Sequence, residues 1–184
     1  MSLRYAILGL LSKQEATGYE LTQRFRKTTI HFWYAHHTQI YRELAKMEKE
    51  ELVGYRVVHQ EDHPDKKIYT IKDKGFQELL SWLLESEIDP PKLKDSRLLK
   101  VSLFHLIPTD RSIRFLEKSR REHVETLQGM EFWKEHHLPE NQCYQSKIGE
   151  YLTLEFGIRA MKTWIDWCDW AIEVLRKSES LREE

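Results

Sequence analysis

HTQIYRELAKMEKEELVGYRVVHQEDHPDKKIYTI, residues 37–71, decides the fold. Ile40, Leu44 and Met47 recur at helical spacing and Leu52 closes the run, which predicts one helix from about His37 to Leu52 with a single apolar back. Gly54 ends it. Tyr55–His59 and Ile68–Ile71 have the β-branched and aromatic composition of short strands, and the His-Pro-Asp between them is turn chemistry, so the pair reads as a hairpin. Upstream, Leu3, Ala6, Ile7, Leu10 and Leu11 mark an amphipathic helix. Thr17 opens a second helix, with Glu20 three residues on to cap it in return. Downstream, Asp73 starts a helix through Phe76, Leu79, Leu80 and Leu83. Three helices, a hairpin and a helix, in that order, are the elements of a winged helix-turn-helix.

The rest of the chain is helical as well. Of 184 residues, 40% are hydrophobic and 32% charged, with only seven Gly and five Pro, which excludes bulk disorder and favours a mostly α protein with a real core. The Pro90-Pro91 pair cannot sit inside a helix. It divides a winged helix-turn-helix domain, residues 1–86, from a helical domain, residues 87–184, expected to dimerise and to hold any effector. In the second domain, Leu98 to Leu106 reads as an apolar helix ended by Pro108, and Thr109 as the cap of a helix to about His136. A last helix spans about Ser146 to Lys177. Along it, Tyr151, Leu154, Ile158, Met161, Ile165, Cys168, Ile172 and Leu175 alternate steps of three and four, a coiled-coil-like seam that reads as a dimer interface, the alternative being a long helix buried within its own chain. Beside it runs a second stripe of Phe156, Ala160, Trp164, Trp167, Ala171 and Val174.

No apolar run approaches the length of a membrane span, and MSLRYAILGLLSKQ lacks the features of a signal peptide. Two cysteines are too few for a disulfide framework, so a cytoplasmic setting is expected. Glycine-rich phosphate loops, nucleophile elbows, HExxH and CxxC are all missing from the sequence, so neither an enzyme, a metal site nor a cofactor is expected. His36-His37 and His136-His137 are adjacent pairs whose members diverge by about 100° on a helix and form no clamp. Cys168 lies in the apolar seam as a small hydrophobe, and Cys143 falls in a loop.

The net charge of −1 demands no nucleic acid, but a mildly basic first half and the side chains of the third helix are compatible with DNA binding. Residues 1–84 hold 13 Lys and Arg against 11 Asp and Glu, while residues 85–184 hold 16 against 19. The third helix carries His37, Thr38, Gln39, Tyr41 and Arg42 off its apolar back, near its N-terminus. Gln can pair with adenine, Arg with guanine, Thr can touch a thymine methyl, and the Tyr hydroxyl can reach phosphate. Lys66 and Lys67, beside the hairpin turn, suit phosphate or minor-groove contact. The competing reading is a protein-interaction module or anti-repressor adaptor, which the acidic Glu43, Glu48, Glu50 and Glu51 would fit. Trp164, Trp167 and Trp170 are candidates for the wall of an aromatic effector pocket, since indole joins an apolar face to a hydrogen-bonding edge.

LRYAILGLLSKQEATGYELTQRF, HTQIYRELAKMEKEELV and KKIYTIKDKGFQELLSWL together resemble the PadR family of bacterial transcriptional regulators, across about residues 3–84. The second domain is similar in architecture to the family's larger-tailed branch, which includes a phenolic-acid-responsive repressor. The resemblance implies a homodimer on a near-palindromic double-stranded operator, repression as the default, and a third helix in the major groove, mapping onto Thr38, Gln39 and Tyr41. It puts Tyr19 of TGYEL near the DNA-backbone surface. It also implies, for some members, a small aromatic effector. Where relatives often have Pro after the Tyr, this chain has Arg42, so a relative's operator sequence is not transferable.

Overall fold

The computed structural model describes residues 2–29, 35–59, 65–85, 94–138 and 147–183. The chain divides into two compact units, Met1–Pro90 and Pro91–Glu184. The boundary expected between residues 86 and 87, and Cys143, lie outside the described residues.

In the first unit, α1 (Ser2–Lys13), α2 (Gly18–Thr29), α3 (His37–Lys49) and α4 (Asp73–Glu85) surround a small sheet of β1 (Ala16–Thr17), β2 (Val53–Val58) and β3 (Lys66–Ile71). The sheet runs β1-β3-β2 and is antiparallel throughout; Ala16 pairs with Tyr69 and Val53 with Ile71. Two-residue β1 was not legible as a strand, being too short to show a period. Of the periodic positions, Ile7, Leu11, Ile40, Leu44, Met47, Leu52 and Leu79 lie in the core, joined by Leu8, Leu21, Phe25, Val53 and Tyr69, whereas Leu3, Ala6 and Leu10 are only partly buried against it and Phe76 and Leu83 are exposed. Thr17 and Glu20 form the expected capping box. The Glu20 carboxylate accepts from Thr17 N–H at 2.8 Å, and Glu20 N–H donates to Thr17 Oγ1 at 3.1 Å. The bond from Thr17 N–H holds the Glu20 carboxyl below the usual carboxylate range.

Helix α3 ends in a Schellman motif. Leu52 N–H donates to Met47 O at 2.9 Å and Glu51 N–H to Glu48 O at 3.1 Å. Glu51 takes the left-handed conformation, φ 61°, that this motif demands and that glycine fills at least cost. Helix α4 then passes so close to this corner that a Cβ on Gly75 would lie 2.2 Å from the Leu52 carbonyl oxygen. The glycine at residue 75 is therefore a packing requirement.

The second unit contains α5 (Ser96–Val101), a 3-10 turn (Phe104–Leu106), α6 (Thr109–His137) and α7 (Ile148–Glu183). Helices α6 and α7 run antiparallel, as the ion pairs Lys134–Glu155, Glu131–Lys162, Arg120–Asp169 and Glu117–Arg176 require. Three expectations are corrected here. The helix read over Leu98–Leu106 stops at Val101, and Leu99, Leu103 and Leu106 are exposed. Pro108, with its fixed φ, occupies the cap position of α6, and Thr109 is the first helical residue.

The third correction concerns the seam of the last helix, which faces its own chain. Leu154 and Ile158 are buried with Met130 and Leu138, flanked by Tyr151 and Met161. Cys168 and Ile172 are buried with Leu116, flanked by Leu175. Ile165 is half-buried. The six residues expected at a dimer interface, Tyr151, Leu154, Ile158, Met161, Ile165 and Ile172, thus lie on the α7 face that α6 occupies. The period of an apolar seam fixes its width but not which helix covers it. The apolar residues left in solvent on α7 are Ile148, Leu152, Phe156, Trp170 and Val174. No helix among the described residues is long and apolar enough to cross a membrane.

Two substitutions at the α3–α4 corner should move stability in opposite directions. Glu51→Gly removes the left-handed penalty and, after the added freedom of the unfolded chain, should stabilise by about 0.5 to 1 kcal/mol. Gly75→Ala forces backbone apart and should cost about 2 to 3 kcal/mol. Urea unfolding followed by circular dichroism reads both; a neutral Gly75→Ala would refute the close approach.

Candidate nucleic-acid interface

Helix α3 lies on Ile40, Leu44 and Met47, all buried, and this fixes what faces out. His37, Thr38, Gln39, Tyr41 and Arg42 are all exposed. Their N-terminal placement matters, because the backbone N–H groups of a first turn favour a neighbouring phosphate. Two of the five are already engaged. Gln39 Oε1 accepts from His36 N–H at 2.8 Å, capping the helix and occupying one of the oxygen's two lone pairs, while its amide N–H groups remain to donate. Thr38 Oγ1 lies 3.0 Å from His36 Nδ1, while the His36 and His37 rings meet at 4.3 Å.

Tyr41 leans across the N-terminus of α2. A Cβ on Gly18 would meet its ring at 2.5 Å, so the glycine of TGYEL makes room for this aromatic. Beyond it opens a groove of about 780 Å³, lined among others by Thr17, Tyr19, Tyr41, Lys66, Lys67 and Tyr69. Lys66 and Lys67 begin β3 opposite Val58 and Val57, at the turn end of the hairpin, and both are exposed. Lys67 Nζ stands 3.8 Å above the Tyr55 ring, and its hydrogen bond to Tyr55 raises the ammonium pKa. Tyr19 is largely exposed on the same rim. The structure thus brings Tyr19, Tyr41, Lys66 and Lys67 around one groove, with His37, Thr38, Gln39 and Arg42 on the adjoining helix.

In the second unit the three tryptophans separate. Trp164 and Trp167 are half-buried and meet edge to face at 5.2 Å; Trp170 is 59% exposed. Trp164 stacks on His123 at 5.1 Å, and the Arg97 guanidinium lies 6.0 Å from its ring centre. His123, only 4% exposed, has Nδ1 at 2.6 Å from the Ser119 carbonyl oxygen. A carbonyl can only accept, so Nδ1 carries the proton and Nε2 accepts from Arg97 Nη1 at 3.2 Å. Sequence reasoning missed Arg97 and His123. The signal was the core face of α6, Ser112, Leu116, Ser119, His123 and Met130, which keeps helical spacing but hides in small and polar residues. Cys168 is fully buried and its thiol is pushed up by desolvation, which keeps it protonated and inert. Among the described residues no cluster of His, Cys, Asp or Glu could hold a metal ion.

A helix-turn-helix flanked by a basic-tipped hairpin and followed by a helical unit defines the class, a winged-helix regulator with a helical C-terminal domain. The comparisons give the family. Residues 7–81 match the transcriptional regulator PadR-like family and residues 93–176 the virulence activator alpha C-term family. The chain is 32% identical to the negative transcriptional regulator PadR of Bacillus subtilis, covering 95% of this chain and 98% of that one. The structure of that protein in complex with operator DNA superposes with a TM-score of 0.84 at 29% identity, covering 95% of this chain and 99% of the other. Its complex with p-coumaric acid gives 0.77 at 28% identity over 96% and 99%. The Vibrio cholerae virulence activator AphA gives 0.74 at 26% identity, again over 96% and 99%. The chain belongs to the PadR-like family of transcriptional regulators.

Proposed function

We propose that this regulator is a homodimeric repressor that binds a near-palindromic operator and is released by a small aromatic effector. The observation that carries the DNA reading is the pairing of α3, polar in front and buried behind, with the Lys66–Lys67 hairpin tip. Thr38 and Arg42 read bases, Gln39 contributes its amide donors, and Tyr19, His37, Tyr41, Lys66 and Lys67 hold the backbone. The B. subtilis relative bound to operator DNA supports DNA binding. Repression follows the description of that relative as a negative regulator. The protein works on DNA in the cytoplasm, and binding, without a catalytic step, is its activity.

A second copy would cover the apolar residues that α6 leaves in solvent on α7, chiefly Leu152, Phe156 and Val174. Two copies would set two α3 helices about one DNA turn apart, roughly 34 Å. An effector that prefers a different arrangement of the dimer would weaken DNA binding by its difference in affinity for the two states. Trp164 and Trp167, with Arg97 and His123, are the assigned contacts; Trp170, standing apart from them in solvent, is assigned to the outer surface. The relative bound to p-coumaric acid supports an aromatic ligand.

Three outcomes are expected. In fluorescence anisotropy with duplexes tiling the DNA upstream of the gene, Thr38→Ala and Arg42→Ala should narrow the gap between operator and unrelated DNA. Lys66→Ala and Lys67→Ala should weaken every duplex and lower the salt slope by about one each. Wild-type protein with no preference among the duplexes would sink the reading. Phe156→Glu should turn a dimer into a monomer in light scattering without unfolding it; a persistent dimer would place the interface elsewhere. Added p-coumaric acid, or another small aromatic acid, should quench Trp emission and release the operator, and Trp164→Leu should abolish both. Quenching and release that survive in Trp164→Leu would move the effector off this cluster.

A further inference from the structure

The strongest feature that the proposed function leaves unused lies behind α3. Arg4, in the first turn of α1, places each of its three nitrogens on a different carboxylate. Nε donates to Glu43 Oε1 at 3.2 Å, Nη1 donates to Glu78 Oε1 at 3.2 Å, and Nη2 lies 2.7 Å from Glu50 Oε2. Glu43 belongs to α3, Glu50 caps its C-terminal end, and Glu78 belongs to α4. The Arg4 side chain is 22% exposed and that of Glu43 19%, so this contact is partly sheltered, while Glu78 and Glu50 are more exposed.

We infer that Arg4 is a positioning residue for DNA binding: it sets the rotation of α3 about its own axis. This rests on the reading of α3 as the base-contacting helix. The apolar back of α3 fixes its depth, but apolar contact is non-directional and tolerates rotation. Charge-assisted bonds from a planar guanidinium are directional, and a lysine ammonium cannot reproduce the fork. Glu43 and Glu50 are seven residues apart, so they emerge from nearly the same face about 10 Å apart along the axis. Bonds from that face to one guanidinium lie off the helix axis and resist rotation about it, and their separation along the axis also resists tilt. The third, on Glu78, ties them to α4. A rotation of about 20° would carry the outer surface of α3, some 6 Å from its axis, through about 2 Å. That is enough to break hydrogen bonds to base edges, whose donor–acceptor distances tolerate only a few tenths of an ångström. Phosphate contacts carry no sequence information and suffer less.

Arg4→Lys and Glu78→Gln separate this role from simple folding. Each is compared with wild type by thermal melts and by anisotropy on the preferred upstream duplex and an unrelated one, over a range of salt concentrations and below every melting transition. Arg4→Lys should weaken the preferred duplex about tenfold, leave the unrelated one unchanged and keep the wild-type salt slope. Glu78→Gln should do the same to a smaller degree, about threefold, and it decides the question should Arg4→Lys fail to fold. A folded Arg4→Lys with wild-type discrimination overturns the inference alone. In Arg4→Gln, which removes the charge, a salt slope lowered by about one would mean that Arg4 touches phosphate directly, which also overturns it. Wild-type protein without discrimination would overturn the DNA reading beneath it and this inference together.

Discussion

Leu52 is where the first unit is joined. Its N–H closes α3 by donating to Met47 O at 2.9 Å, and its carbonyl accepts Lys72 N–H at 2.9 Å, just before α4 begins. Its side chain is fully buried, and its carbonyl oxygen is the atom that a side chain at Gly75 would strike. One residue thus ends α3, leads into the sheet that carries the basic hairpin, and sets how near α4 approaches. The geometry on either side depends on it, because a buried polar backbone group must keep its partner. The α3 helix cannot shift along its axis without breaking this corner.

Much of this was legible in the sequence because local and tertiary signals agree. Thr17 and Glu20 cap α2 as their spacing demands, and Ile40, Leu44 and Met47 are the buried back of α3. Other elements escaped for physical reasons. Strand β1 has two residues, fewer than a period-two pattern needs to declare itself. The exposed Leu99, Leu103 and Leu106 show that apolar composition alone does not make a buried helix. The seam of α7 runs through the residues its period marks, and α6 covers it. Its complement on α6 is built partly from Ser112, Ser119 and His123, which hydropathy does not flag.

The candidate sites divide in the same way. Residue types at the front of α3 could be read directly, since exposure follows from the buried stripe behind them. What could not be read was prior engagement, such as the bond from His36 N–H to Gln39 Oε1 that occupies one of that oxygen's two lone pairs. The aromatic cluster was noticed through its tryptophans, yet its polar members come from α5 and α6, far away in sequence. Arg97 and His123 reach Trp164 only because α6 and α7 pair along their length.

That pairing has a mechanical side. Helix α7 has 36 residues, and at 1.5 Å per residue it is a rod about 54 Å long. Trp164 stands near its midpoint, stacked on a histidine held by a backbone carbonyl. A bend of about 5° at that point would carry one end of the rod about 2 Å off the line of the other half. The stack sits at the middle of a lever, where a small change of angle moves one tip relative to the other.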